Sequence, residues 1–170
     1  MKRPCIDELP LVYLKPGEMY IAQDRPALVT TVLGSCISAS MFSERFRIGA
    51  ICHGLLPNCR GKQECDGTCT EGFRYVDCSI RQMAKQFDAL GVLRGEIKVK
   101  LFGGADMFTP KDGGRASASV GRQNIETAMK VIMDEGLTLV ASDVGGVRGR
   151  KILFYAHTGE VLLKRQGEAK

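Results

Sequence analysis

Between Ala27 and Leu55 the apolar positions fall into three runs separated by Gly34 and by a polar stretch at Glu44 and Arg45. Leu28 to Leu33 is a β-branched run, and Cys36 to Phe42 and Ile48 to Leu55 follow as two further strand-like segments. The period then changes. Ile80, Met83, Ala84, Phe87 and Leu90 recur at helical spacing, with Asp77 as the expected N-cap and Gly91 as the stop. Ile97, Val99 and Leu101 alternate like a strand. A second helix carries Ile125, Ala128, Met129, Ile132 and Met133 on one face and ends at Gly136, and its methionines read as core. The tail predicts strands at Leu137 to Ala141, Ile152 to Tyr155 and Val161 to Lys164, the last two joined by a turn at His157, Thr158 and Gly159. Before Gln23, the residues Pro4, Pro10, Pro16 and Gly17 punctuate an arm or edge segment, flexible over residues 1–10. About seven strands and two main helices predict the α+β class, as one layered α/β sandwich with a mixed β-sheet spanning residues 1–170.

Composition narrows the function classes. The 170 residues are 44% hydrophobic and 25% charged, which is ordinary globular usage and excludes disorder, collagen-like repeats and coiled coil. A net charge of +5 falls short of the dense basic stripe that nucleic-acid binding requires, so no nucleic-acid partner is predicted. The densest basic cluster, Arg148, Arg150 and Lys151, reads as a solvated strand end. No apolar run approaches the roughly 18 residues of a membrane span. Asp7 and Glu8 precede any run resembling a signal peptide, so the expected location is the cytoplasm, without membrane insertion. Seven cysteines in a reducing compartment point to buried, catalytic or metal-binding thiols rather than a disulfide framework.

Two of these runs place chemistry together. A hairpin centred between Glu44 and Arg45 sets Cys36 directly opposite His53 and sorts the side chains by parity. Ile37, Ala39, Met41, Ile48, Ala50 and Cys52 form a uniformly apolar face that belongs on the core, and Cys36, Ser38, Ser40, Gly49, Ile51 and His53 form the other. A slip of one residue would put polar groups into the core, so the pattern specifies the register only to within an even number of residues. A thiol beside an imidazole can lose its proton and become a nucleophile. Gly34 and Ser35, just before Cys36, predict a turn that exposes the sulfur and offers backbone N–H groups to a developing oxyanion. The same two residues could instead be packed passively in a sheet, and the residues alone leave both readings open.

Around this pair stand Thr30-Thr31-Val32-Leu33-Gly34-Ser35-Cys36 and Gly49-Ala50-Ile51-Cys52-His53-Gly54-Leu55-Leu56-Pro57. Further motifs follow at Phe102-Gly103-Gly104-Ala105-Asp106, Gly121-Arg122-Gln123-Asn124-Ile125, Asp143-Val144-Gly145-Gly146 and the final hairpin Thr158 to Arg165. Together, in this order, they resemble the motifs of CheD, the chemoreceptor glutamine deamidase family. The resemblance implies conversion of glutamine side chains on methyl-accepting chemotaxis receptors to glutamate, with release of ammonia through a cysteine thioester. It assigns Cys36 as nucleophile, His53 as base and Thr30 as the residue that orients the histidine. A fold similar to toxin-type deamidases, no cofactor, and a CheC-type phosphatase of CheY as a possible second partner are implied as well. Methylesterase activity is a further expectation, since only the leaving group differs.

One stretch departs from the family. Residues 58–70 hold Cys59, Cys65 and Cys69, with Cys78 soon after, and these four could bind a metal or act as a redox switch. They lack C-x-x-C knuckles, so the metal assignment stays at none and variation in a surface loop is the simpler account. Gly103-Gly104 lacks the lysine and hydroxyl of a phosphate loop and reads as a tight turn beside the cleft. Two other functions stay open: a non-catalytic regulator binding a CheC-type phosphatase, and a cysteine-rich metal or redox protein. The expected oligomeric state is a monomer.

Overall fold

The structure, a computed structural model, describes residues 8–59, 71–107 and 119–167. Its strands are β1 (Leu11–Tyr13), β2 (Met19–Ala22), β3 (Leu28–Leu33), β4 (Ile37–Ser43), β5 (Ile48–Cys52), β6 (Lys98–Gly103), β7 (Thr138–Val144), β8 (Arg150–Tyr155) and β9 (Val161–Arg165). Helix α1 (Val76–Ala89) lies between β5 and β6, and α2 (Val120–Asp134) between β6 and β7. The α+β class holds, with two helices and mixed sheets. Among the described residues no helix is long and apolar enough to cross a membrane.

The strands form two sheets. Five run in the order β2-β5-β4-β6-β7 and four in the order β1-β3-β8-β9, each sheet containing one parallel pair. The reason is visible in the central strands. Every residue of β5 and nearly every residue of β4 is buried, so neither face of that sheet meets water at its centre. On one face Ala39, Met41, Ala50, Cys52, Val99 and Leu101 pack beneath Ile80, Met83 and Phe87 of α1 and Ala128 and Ile132 of α2. On the other, Ile51 and Phe102 pack against Val29, Leu33, Ile152 and Phe154 of the four-stranded sheet. The result is three layers, helices on sheet on sheet, with the expected parity of β4 and β5 dividing the two cores.

Several expectations are corrected. Of the arm or edge segment expected before Gln23, the edge alternative holds from Leu11 on, where β1 pairs with β3 and β2 with β5. Residues 1–7 of the expected arm lie outside the described residues, while Pro10 is tied down by a 3.0 Å hydrogen bond from the Leu28 N–H to its carbonyl. Tyr75, not Asp77, is the N-cap of α1; Asp77 sits in the first turn, where its carboxylate accepts the Cys78 N–H at 2.7 Å. Met133 is 73% exposed, because α2 turns Val131 and Ile132 inward and leaves Met133 on its outer side. Arg150 is only 1% exposed, not part of a solvated strand end. It lies under the turn after β7, donating to the Asp143 side chain and to the Gly145 carbonyl, while Arg165 holds the same carboxylate at 2.6 Å.

The β4–β5 register also shifts. Ser43 pairs with Ile48 and Ser40 with Ile51, leaving a four-residue turn at 44–47 closed by Arg47 in the left-handed region at φ 54°. An isolated bridge between Ile37 and Gly54 continues the same frame. Each β4 residue therefore faces a partner two residues later than the two-residue turn had implied. The displacement is even, so every side chain keeps its predicted face.

The two sheets approach closely where β5 begins. A Cβ on Gly49 would stand 2.1 Å from the Ala156 carbonyl oxygen, so only glycine fits there without moving backbone. Replacing Gly49 by Ala is expected to cost about 2 to 3 kcal/mol, within the range for overpacking a filled interior. Urea denaturation monitored by circular dichroism checks this, and an unchanged midpoint would contradict the contact.

Candidate active site

Cys36 stands at the head of β4, half-buried, after the turn at Gly34 and Ser35. It lines a cleft of about 830 Å³ bounded by Leu55 and Leu56, by the segment Gly104 to Met107, by the first turn of α2 and by Gly145-Gly146. The turn at Gly103-Gly104 makes this wall possible. Gly103 has φ +108°, and a Cβ there would lie 2.1 Å from the Cys36 carbonyl oxygen, which instead accepts the Gly104 N–H at 2.8 Å. The Gly34 carbonyl accepts the Ala105 N–H at 2.9 Å, so the loop carrying the thiol is sewn to the end of β6.

His53 follows β5 and is 2% exposed. In the observed register it faces Ser38, and Cys36 faces Leu55, so Cys36 and His53 are diagonal rather than direct neighbours. They share the face turned toward the four-stranded sheet. Diagonal cross-strand neighbours have backbones roughly 7 to 8 Å apart, a span an imidazole can bridge. The backbone of His53 is held by the chain leading into β2: its N–H donates to the Glu18 carbonyl at 3.0 Å, and its carbonyl accepts the Gly17 N–H at 2.8 Å.

The structure sets Thr31, not the expected Thr30, against the histidine. Thr30 Oγ1 donates to the Ile152 carbonyl at 3.0 Å, and its side chain lines a separate cavity with Leu11 and Leu153. Thr31, on the opposite side of β3, has its Oγ1 2.7 Å from His53 Nδ1 and 2.8 Å from the Leu14 carbonyl. A hydroxyl has one proton. The carbonyl can only accept, so that proton goes to Leu14, and Thr31 Oγ1 must in turn accept a proton from Nδ1. The neutral ring therefore carries its hydrogen on Nδ1 and leaves Nε2 with a bare lone pair. Nε2 is buried and has no hydrogen-bond partner among the described residues. Burial also holds the imidazole neutral, pushing its pKa down to about 4.

Burial pushes the Cys36 thiol above its ordinary pKa, opposed by a hydrogen bond from its own backbone N–H. Thiol and imidazole are thus both neutral at pH 7, rather than a preformed thiolate and imidazolium. Cys52 is one strand position from His53 but faces the helices among apolar neighbours, with a pKa pushed up to about 12, so its thiol is inert. Of the four cysteines singled out as metal candidates, Cys65 and Cys69 lie outside the described residues; the backbone N–H groups of Cys59 and of Cys78, in α1, both point at the Asp77 carboxylate. Among the described residues no cluster of three His, Cys, Asp or Glu is arranged to hold a metal ion.

Two residues of this site escaped the sequence reading. Thr31 and Asn124 are polar residues in the apolar phase of their elements, Thr31 between Val29 and Leu33 on the inner side of β3, Asn124 on the face of α2 that carries Gly121 and Ala128. That mismatch was the available signal.

A family described as CheD chemotactic sensory transduction matches residues 55–165. The chain is 51% identical over 159 residues to a protein of Geobacter sulfurreducens named probable chemoreceptor glutamine deamidase CheD 2, covering 93% of this chain and 91% of that one. It is 39% identical over 155 residues to a probable chemoreceptor glutamine deamidase CheD of Maridesulfovibrio salexigens, covering 91% of each. A chemoreceptor glutamine deamidase CheD of Thermotoga maritima is 29% identical over 89% of both chains. Among solved structures, the Neisseria meningitidis protein NMB0706 of family DUF152 matches with a TM-score of 0.52 at 13% identity, over 82% of this chain and 65% of that one, a likeness of fold. A single-domain layered α+β protein with a half-buried cysteine lining a cleft and a buried histidine on the same face of the sheet is the class these features define. The chain belongs to the CheD family.

The buried neutral histidine has a consequence for stability. Its pKa is about 6.5 when unfolded and about 4 when folded, so between those values the unfolded chain takes up a proton that the folded chain refuses. The stability from this group is full above pH 6.5 and is lost as pH falls toward 4, by about 3 kcal/mol in all. Urea titrations at stepped pH should show a shallower acid slope for His53→Gln than for the wild type. Parallel slopes would contradict the buried neutral state.

Proposed function

We propose that this protein deamidates glutamine side chains on methyl-accepting chemotaxis receptors, with Cys36 as nucleophile and His53 as base. The observation that carries the reading is the state of His53: Nδ1 engaged by Thr31, Nε2 bare and buried, on the same sheet face as a thiol that opens into the cleft.

The chemistry runs from neutral partners. As Cys36 Sγ bonds to the carboxamide carbon, its proton passes to Nε2, and the carbonyl oxygen becomes an oxyanion. An imidazolium in this dry setting is strongly acidic, which favours rapid transfer of the proton to the departing nitrogen; the C–N bond breaks and ammonia leaves. The thioester then meets water. Nε2 takes the water's proton, hydroxide adds to the acyl carbon, and as the C–S bond breaks the imidazolium returns that proton to Sγ, yielding glutamate, the free thiol and neutral His53. Nothing in this sequence calls for a cofactor. A glutamyl methyl ester would follow the same path with methanol leaving. The apolar floor of the cleft at Leu55, Leu56 and Ile125 suits the methylene stem of a glutamine projecting from a receptor helix. Action on receptors places the protein in the cytoplasm, and a CheC-type phosphatase as second partner belongs to the same reading.

Incubation with receptor fragments should release ammonia and add about one dalton per glutamine converted. Cys36→Ala should abolish both with the fold intact, and full activity in that variant would end the proposal. Thr31→Val should lower kcat about 10- to 100-fold by freeing the histidine ring, as loss of a base's orienting partner does. Thr30→Val should stay within about threefold of wild type, because its hydroxyl holds β8 rather than the ring. The opposite ranking of the two threonine variants would overturn the Thr31 assignment.

A further inference from the structure

Asn124 is fully buried in α2, yet its two amide hydrogens leave the helix. One donates to the Ser35 carbonyl at 2.9 Å and the other to the Leu55 carbonyl at 3.0 Å. Both acceptors are carbonyls, so the amide can sit only one way round, with Nδ2 toward them. Its Oδ1 is left buried without a hydrogen-bond partner among the described residues. A side chain whose role was to fill space would not leave an amide oxygen unsatisfied, since an aliphatic group of the same shape avoids that cost.

The positions of the two carbonyls matter. Leu55 is the residue that faces Cys36 across the β4–β5 frame, and Ser35 precedes Cys36. Asn124 therefore ties together the two strand ends that flank the thiol. It also completes a set: the carbonyls of Gly34 and Cys36 are held by Ala105 and Gly104, and that of Ser35, between them, by Asn124. In a trans peptide the C=O and the next N–H point in opposite directions. Drawing the Ser35 carbonyl inward to α2 turns the Cys36 N–H away from the helix.

We propose that Asn124 is a positioning residue for acyl transfer: by holding the Ser35 carbonyl it aims the Cys36 backbone N–H at the oxyanion that forms when the Cys36 sulfur adds to the substrate. The proposal rests on the deamidase reading. It does not make Asn124 a catalytic residue, because the amide touches only backbone. An oxyanion donor is worth most when it is already aimed before the charge appears. Freed from Asn124, the Ser35–Cys36 peptide can rotate and that preorganisation is lost.

The test separates acyl chemistry from thiol chemistry. Alkylation of Cys36 by iodoacetamide, followed by peptide mass mapping, requires an accessible sulfur but forms no oxyanion. In Asn124→Ala, kcat for ammonia release from receptor fragments should fall about 10- to 100-fold with KM within threefold, while the alkylation rate of Cys36 stays within threefold of wild type. Asn124→Ser, which retains one donor, should show an intermediate loss and provides the measurement should the alanine variant fail to fold. Equal losses in both reactions, a rise in KM alone, or undiminished kcat would each overturn the proposal. Inactive wild-type protein or active Cys36→Ala would instead bring down the deamidase reading, so the two failures are distinguishable.

Discussion

The hydroxyl of Thr31 has one proton to give, and the arrangement of the site depends on where it goes. Because it is committed to the Leu14 carbonyl, the histidine must supply the other hydrogen bond, and that fixes which ring nitrogen is bare. The interaction joins three parts of the chain: the segment after β1, the inner side of β3 and the end of β5. It also crosses between the sheets, so the state of the imidazole is set by the packing of one sheet upon the other. The close approach at Gly49 and the apolar layer of Val29, Leu33, Ile51 and Phe154 are conditions for that packing.

Desolvation gives the site its electrostatic character. Both titratable partners are pushed toward neutrality by burial, His53 downward and Cys36 upward. The thiol is therefore not a standing thiolate exposed to any electrophile. In the proposed reaction charge separation is deferred until a substrate occupies the cleft, which suits an unreactive carboxamide target. Cys52 makes the contrast plain: one position along the strand, the same functional group is turned to the helices and held fully protonated. Strand parity separates a candidate nucleophile from an inert core residue.

Much of this was legible residue by residue. Alternation in β4 and β5 divided their side chains correctly, and helical spacing placed Ile80, Met83, Ala84 and Phe87 of α1 in the core. Errors arose where a local rule met a choice that only contacts resolve. A two-residue and a four-residue turn preserve the same parity, so the pattern could not distinguish them, and Arg47 in the left-handed region selected the longer. Arg150 read as a surface cation because nothing local reveals that Asp143 and the Gly145 carbonyl close around it. Short β1 and β2 lacked the length for a period to appear, and their partners β3 and β5 supply the order their sequences do not.

Sequence alone determined the α+β class, the two-faced character of the central strands, and the presence of Cys36 and His53 on a common face. These follow from periodicity and parity, which are properties of a few consecutive residues. Tertiary structure decided that Cys36 and His53 are diagonal, that Thr31 rather than Thr30 meets the imidazole, and that Asn124 reaches the two carbonyls beside the thiol. Each of these depends on how one element is placed against another across long sequence separations. Two adjacent threonines on a strand are chemically identical, and only the second sheet, by lying on one side of them, makes them different.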